Sequence, residues 1–269
     1  MSYANILVSV DLDAGAAERV RLAADLARRF GATLTGAAAH KVPPPILVQD
    51  IEDARLQDEA NTHKVRAVLE QARVLFAEAA GSARSDWLPA LAGPITHLVA
   101  LARAADLVVL GRRGPDDVEP GPLGVPPGPI LMEAGRPVLV VPRGLDRLRA
   151  ERVVVAWKDG PEARRAVSAA LPFLRAAETV LIASAGEACC YEGAEAVAAH
   201  LVRHGARATT HLARSAASDG EALMRFAADA EADLIVMGAY GHSRLREWMF
   251  GGVTRDILQR SPTCCLMSH

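Results

Sequence analysis

Two sets of glycines in this chain have the spacing of a loop that cradles an anion. Gly111, Gly114 and Gly124 read G-x₂-G-x₉-G, and Gly238, Gly241 and Gly251 repeat that spacing 127 residues later. Glycines let backbone N–H groups approach phosphate oxygens, and a helix opened by the last of them favours negative charge at its amino end. The segments leading in also correspond, Ala105-Asp-Leu-Val-Val-Leu-Gly111 against Ala232-Asp-Leu-Ile-Val-Met-Gly238. Each is a short apolar, β-branched run ending in glycine, the pattern of a buried parallel strand entering a tight loop.

Strands and helices must hold these loops, and the pattern supplies them twice. The first repeat opens with a strand over 5–10, ending at Asp11. An amphipathic helix over 16–30 follows, with Val20, Leu22, Ala23, Leu26, Ala27 and Phe30 near one face and Gly31 as its stop. A strand over 33–39 leads to Lys41-Val-Pro-Pro-Pro-Ile, which can be neither helix nor central strand. A long helix over 52–79, a strand near 84–88, a helix over 95–104 and the strand 107–110 reach the first glycine loop. A Pro/Gly-rich stretch, a short helix and a fifth strand over 137–141 close the unit.

The second repeat restarts at a strand over 153–157, with a helix over 162–176 and a strand over 179–183 at an offset of 147. The fall to 127 at the glycines makes this repeat 20 residues shorter, where the first has its triple proline and part of its long helix. Each unit reads β-α-β-α-β-α-β-α-β, and right-handed crossovers give a parallel sheet with helices on both faces. Ligands of such sheets sit outside the carboxyl ends of strands, where strand order reverses. Here that means Asp11 and Gly111 in one repeat, Lys158 and Gly238 in the other.

A length of 269 residues with 51% hydrophobic content suits two domains, 1–146 and 147–269. A net charge of -2 and 4% aromatics argue against nucleic-acid binding. No basic leader or bilayer-length apolar run is visible, so a soluble cytoplasmic protein without membrane contact is expected. Cys189, Cys190, His200 and His204 are soft metal-ligand types, but adjacent cysteines rarely ligate one metal; the bland reading is a solvated or capping histidine pair, and no metal is expected. Cys264 and Cys265 fall in the last strand, one facing the core and one the contact between repeats.

The run Met237-Gly-Ala-Tyr-Gly-His-Ser-Arg-Leu-Arg-Glu-Trp-Met-Phe-Gly-Gly-Val-Thr-Arg-Asp-Ile-Leu resembles the end of a universal stress protein domain. The resemblance covers the whole chain as two tandem domains. It implies a Rossmann-like α/β fold of the adenine nucleotide alpha hydrolase-like type, each domain a five-stranded parallel sheet of order 3-2-1-4-5. It further implies that the fifth strands, 138–141 and 263–267, face each other as in a dimer made covalent, with homodimerisation of whole chains open. Many members of that family bind ATP, ADP or AMP, with Mg²⁺ accompanying ATP, and others bind none; the family serves stress survival rather than one reaction.

The binding version of the motif has a hydroxyl residue after the last glycine and an aspartate at the end of strand one. The second repeat keeps Gly238, Gly241, Gly251, Val253 and Thr254, bordered by Ala156, Trp157 and Met237, but has Gly252 at the hydroxyl position and Lys158 at the aspartate position. Inside its loop, His242 and Arg244 could reach phosphate and Tyr240 could border a ribose; otherwise they cover the loop surface. Trp248, Met249 and Phe250 read as packing. The first repeat keeps Asp11, Gly111, Gly114 and Gly124, but carries Val125 at the hydroxyl position. Prolines 115, 120, 122, 126, 127 and 129 strip its loop of donors. The second repeat is therefore the favoured adenine-nucleotide site. No Ser/His/Asp or Cys/His set falls on strand ends, so a non-enzymatic regulatory protein is expected, with slow ATP hydrolysis at most incidental. The competing reading is a nucleotide-free interaction scaffold.

Overall fold

The periodic apolar face of 16–30 builds α1 (Ala16–Phe30), burying Val20, Leu22, Ala23, Ala24, Leu26 and Ala27. Gly31 stops the helix with a φ of 68°, its N–H bonded to the carbonyls of Ala27 and Arg28. In this computed structural model, which describes residues 2–114, 121–185, 192–213, 218–241 and 252–269, the first repeat runs β1 (Asn5–Ser9), α1, β2 (Thr33–Ala39), α2 (Ile51–Ala80), β3 (Ser85–Ala90), α3 (Pro94–Ala102), β4 (Leu107–Gly111), α4 (Pro127–Glu133) and β5 (Val138–Val141). The second runs β6 (Arg152–Ala156), α5 (Pro161–Leu174), β7 (Thr179–Ala185), α6 (Ala194–Arg203), β8 (Ala208–Ala213), α7 (Asp219–Asp229), β9 (Leu234–Gly238), α8 (Val253–Arg260) and β10 (Cys264–Ser268). The shortening of the second repeat falls largely in its second helix: α6 has 10 residues where α2 has 30. Among the described residues no helix is long and apolar enough to cross a membrane.

All ten strands form one sheet of order β3-β2-β1-β4-β5-β10-β9-β6-β7-β8, so each half follows 3-2-1-4-5. Side chains alternate between two apolar layers, as a pleated strand requires. Ile6, Val8, Val236 and Leu266 point into the layer under α1, α2, α5 and α6. Leu7, Ile235 and Met267 point into the layer under α3, α4, α7 and α8. Both layers run through the two repeats without interruption.

The halves join where β5 meets β10 antiparallel, Val140 opposite Cys265, Leu139 opposite Leu266 and Val138 opposite Met267. Helices reinforce the seam. Tyr3, Phe30 and Phe173 pack with ring centroids 5.0 to 5.6 Å apart, and the Tyr3 hydroxyl donates to the Ala169 carbonyl at 2.7 Å. Burial pushes the Tyr3 phenol upward, so it remains a donor. Arg112, just past β4, donates through Nη1 to the Gln259 carbonyl of α8.

The paired cysteines point to opposite faces of the sheet. Cys264 lies in one apolar layer and Cys265 in the other, where Cys265 sits directly opposite Val140 of the first repeat. The β5–β10 ladder joins the backbones of the repeats, and both side-chain faces of β10 lie under helices. Burial pushes the Cys265 thiol up to about 12 and raises Cys264 as well.

Two outcomes follow for this seam. Leu139→Ala empties a fully buried position opposite Leu266 and is expected to cost about 2–5 kcal/mol, seen as a lower urea midpoint at unchanged slope. Since burial disfavours the thiolate, alkylation at pH 8 will leave Cys264 and Cys265 unmodified in native protein and modify both in urea, as peptide mass spectrometry would show.

Candidate functional site

The second repeat builds its site where β6 and β9 end side by side. Val153, Val154 and Val155 are buried, and the strand delivers Trp157 and Lys158 to its carboxyl end. Trp157 is anchored through its backbone N–H to the Ala183 carbonyl at 2.8 Å and through its indole N–H to the Glu192 carbonyl at 2.9 Å. Lys158 is exposed. Helix α5 then starts at Pro161, a position where the missing N–H costs nothing, and its first turn carries Glu162.

That turn presses against the end of β9. A Cβ at Gly238 would lie 2.7 Å from the Ala163 backbone nitrogen and 2.6 Å from Glu162 Cγ. At Gly241 it would overlap Glu162 Oε1. The glycine spacing thus serves close approach of backbone to helix, with a carboxylate lodged beside the loop. Gly252 caps α8 in an extended conformation, and the buried Thr254 hydroxyl accepts the Tyr240 N–H at 3.4 Å.

Together these ends enclose a cleft of about 720 Å³. Nine of the expected residues line it: Ala156, Trp157, Lys158, Met237, Gly238, Gly241, Gly252, Val253 and Thr254. Its size lies in the range of small-molecule sites, which pair apolar walls with a few placed polar groups. The apolar set is Ala156, Ala185, Leu223 and Met237; the polar set is the glycine backbone, Thr254, Lys158, Glu162 and Asp219. Arg164 grips Asp159 at 2.6 Å on the exposed lip and holds its carboxyl below the usual range through the hydrogen bond. Among the described residues Glu162 and Asp219 make no salt bridge. Sequence spacing gave no signal for Glu162, Asp219 or Leu223, which join the cleft through the packing of α5 and α7, or for Ala185 at the end of β7.

Tyr240 is a correction. Its backbone has a φ of 57°, its hydroxyl sits 3.2 Å from a Cβ position at Gly128 of α4, and it is not among the described residues that line the cleft. His242, Gly251, Arg244, Trp248, Met249, Phe250, Cys189, Cys190, Pro115 and Pro120 lie outside the described residues. His200 and His204 stack 4.6 Å apart on the exposed side of α6, and no group of three or more metal-capable side chains occurs among the described residues.

The first repeat assembles the same strand ends and fills the space between them. Asp11, expected to face a base, instead accepts from Arg19 Nη2 at 2.6 Å, with side chains 9% and 4% exposed. Arg19 Nε donates to the Ser9 carbonyl at 3.1 Å, and its guanidinium occupies the place a Cβ on Gly111 would take. Gly111 therefore admits an internal cation. Gly114 follows it at the loop entrance, and Gly124 donates its N–H to the Gly121 carbonyl at 2.8 Å within a turn. Gly124 does not open a helix, because Pro126 and Pro127 delay the start of α4 to Pro127. Leu123 and Val125 are buried against the strand ends near Ser9, Ala37 and Leu98. Arg19→Met strands the Asp11 carboxylate and is expected to cost about 3–5 kcal/mol in urea unfolding, whereas a surface exchange such as Arg55→Met will leave the urea midpoint essentially unchanged.

This architecture is shared with proteins already known. The model of the Universal stress protein family matches residues 2–142 and 183–269. None of the curated proteins compared matches significantly. A universal stress protein from Archaeoglobus fulgidus DSM 4304 superposes with a TM-score of 0.74 at 16% identity, covering 99% of this chain and 96% of its own. A functionally unknown protein from Pseudomonas aeruginosa PAO1 superposes at 0.56 with 17% identity, covering 98% and 92%. A putative universal stress protein from Pseudomonas aeruginosa UCBPP-PA14 does so at 0.54 with 17% identity and the same coverage. At such identities the structures show a shared fold, and the family match covers well over half of the chain. With its doubled 3-2-1-4-5 sheet and glycine-ended fourth strands, this chain belongs to the universal stress protein family.

Proposed function

We propose that this chain is a regulatory stress-response protein of the cytoplasm that binds an adenine nucleotide in the cleft of its second repeat, the repeats being 1–146 and 147–269. One observation carries the reading. The ends of β6 and β9 and the start of α8 converge on one cleft, whose apolar wall suits a base and whose Gly238, Gly241 and Gly252–Thr254 backbone suits phosphate. The absent hydroxyl at Gly252 costs about 0.5–1.5 kcal/mol as a lost neutral hydrogen bond, too little to abolish binding. Binding rather than turnover is the role proposed, because the described lining offers no nucleophile with a base beside it.

One site per chain is part of the proposal, since Arg19, Leu123 and Val125 occupy the corresponding space in the first repeat. That closure also favours the second reading, a scaffold with no nucleotide at all.

Isothermal titration with AMP and ATP separates the two readings. Saturable heat at close to one ligand per chain is expected. Gly252→Asp should preserve the fold, because aspartate is a good helix N-cap, and weaken AMP at least tenfold by setting a negative charge at the start of α8. No heat with either nucleotide at millimolar concentration would leave the scaffold reading standing.

A further inference from the structure

Glu162 stands on the phosphate side of the proposed cleft. Its Oε1 fills the space that side chains at Gly241 and Gly160 would need, and its Cγ packs against Gly238. The same glycines offer the N–H groups that would receive an anion. A ligand phosphate lodged there meets a carboxylate already in residence. Asp219, and Asp159 with its Arg164 partner, add two further carboxylates to the lining. Among the described residues Lys158 is the cationic side chain of the lining, and Arg164, beside it on the lip, pairs with Asp159 within electrostatic reach of Glu162. The described lining is thus short of positive charge where a triphosphate would bring the most negative charge. The first repeat inverts this arrangement: its fourth-strand glycine faces the Arg19 guanidinium, which is neutralised by Asp11.

We infer that Glu162 makes the second-repeat cleft select adenine ligands of low negative charge, nucleoside or monophosphate ahead of triphosphate. The inference rests on the nucleotide reading above and deepens it. Repulsion between like charges in a partly closed cleft exceeds that in bulk water, so each added phosphate group weakens binding in the absence of a divalent cation. Glu162 is a specificity residue on this account. The protein would then respond to the dephosphorylated end of the adenine pool.

The test is titration of the full-length protein with adenosine, AMP and ATP in EDTA, repeated with Glu162→Gln. Glutamine keeps the shape and removes the charge. In the wild-type protein adenosine and AMP are expected to bind at least tenfold more tightly than ATP. In the variant ATP is expected to gain at least tenfold while adenosine stays within about threefold. The adenosine-to-ATP ratio is the decisive readout, since a purely structural role for Glu162 would move all three affinities together. Equal wild-type affinities for adenosine and ATP, or a parallel shift of all three ligands in the variant, would overturn charge selection while leaving the nucleotide site intact. Failure of every ligand to bind either protein would instead overturn the nucleotide reading, and charge selection with it.

Discussion

The β5–β10 ladder is the constraint on which the rest of this molecule depends. A five-stranded parallel unit ends in an edge strand whose N–H and C=O groups need partners. Here each unit supplies the other's partner, and ten strands become one sheet. Since β10 also pairs with β9, the cooperative unit extends from the seam directly to the strand that ends at Gly238. The apolar layers above and below cross the seam with the sheet, and the Tyr3–Phe30–Phe173 cluster closes it on the α1/α5 side. Both sets of strand ends are thereby held on one rigid frame.

On that frame a doubled sequence motif has acquired two opposite chemistries. The glycine that ends β4 faces a guanidinium, and the glycine that ends β9 faces a glutamate. In both repeats the missing side chains make room for the repeat's first helix: the Arg19 guanidinium of α1 at Gly111, and the first turn of α5 at Gly238, with the Glu162 carboxylate at Gly241. What differs is the neighbourhood of the charged group. Arg19 is buried and matched by Asp11, so it seals its repeat. Glu162 is half exposed and unmatched by a salt bridge among the described residues, so it leaves a cleft. A buried ion pair stabilises little over an apolar filling, but breaking it is costly, so the pair holds the first repeat's strand ends closed.

The division has a functional logic. A tandem chain with two equal sites would respond to ligand twice. A chain with one closed and one open site can use the closed half as a fixed reference. The Arg112 bond to the end of α8 and the approach of Tyr240 to Gly128 of α4 place first-repeat atoms beside the elements that carry the cleft.

Much of this was legible in the sequence. The 3.6-residue period of 16–30 and the apolar runs before Gly111 and Gly238 specify helix and strands locally, because burial of one face is a property of the residues themselves. The repeat offset specified the doubling, and the glycine spacing marked the strand ends that nine cleft residues share. Which charge would fill each glycine loop was not legible. Arg19 and Glu162 sit on helices, far from the glycines in sequence, and only the docking angle of α1 and α5 brings them there. The approach of Tyr240 to Gly128 joins residues of different repeats, and the lodging of both cysteines under helices depended on β10 becoming an interior strand. Local pattern determined the elements and the fold, because it encodes which faces must be buried. Tertiary structure alone decided which of the two sites stays open, because that depends on side chains meeting across elements whose separation the sequence does not encode.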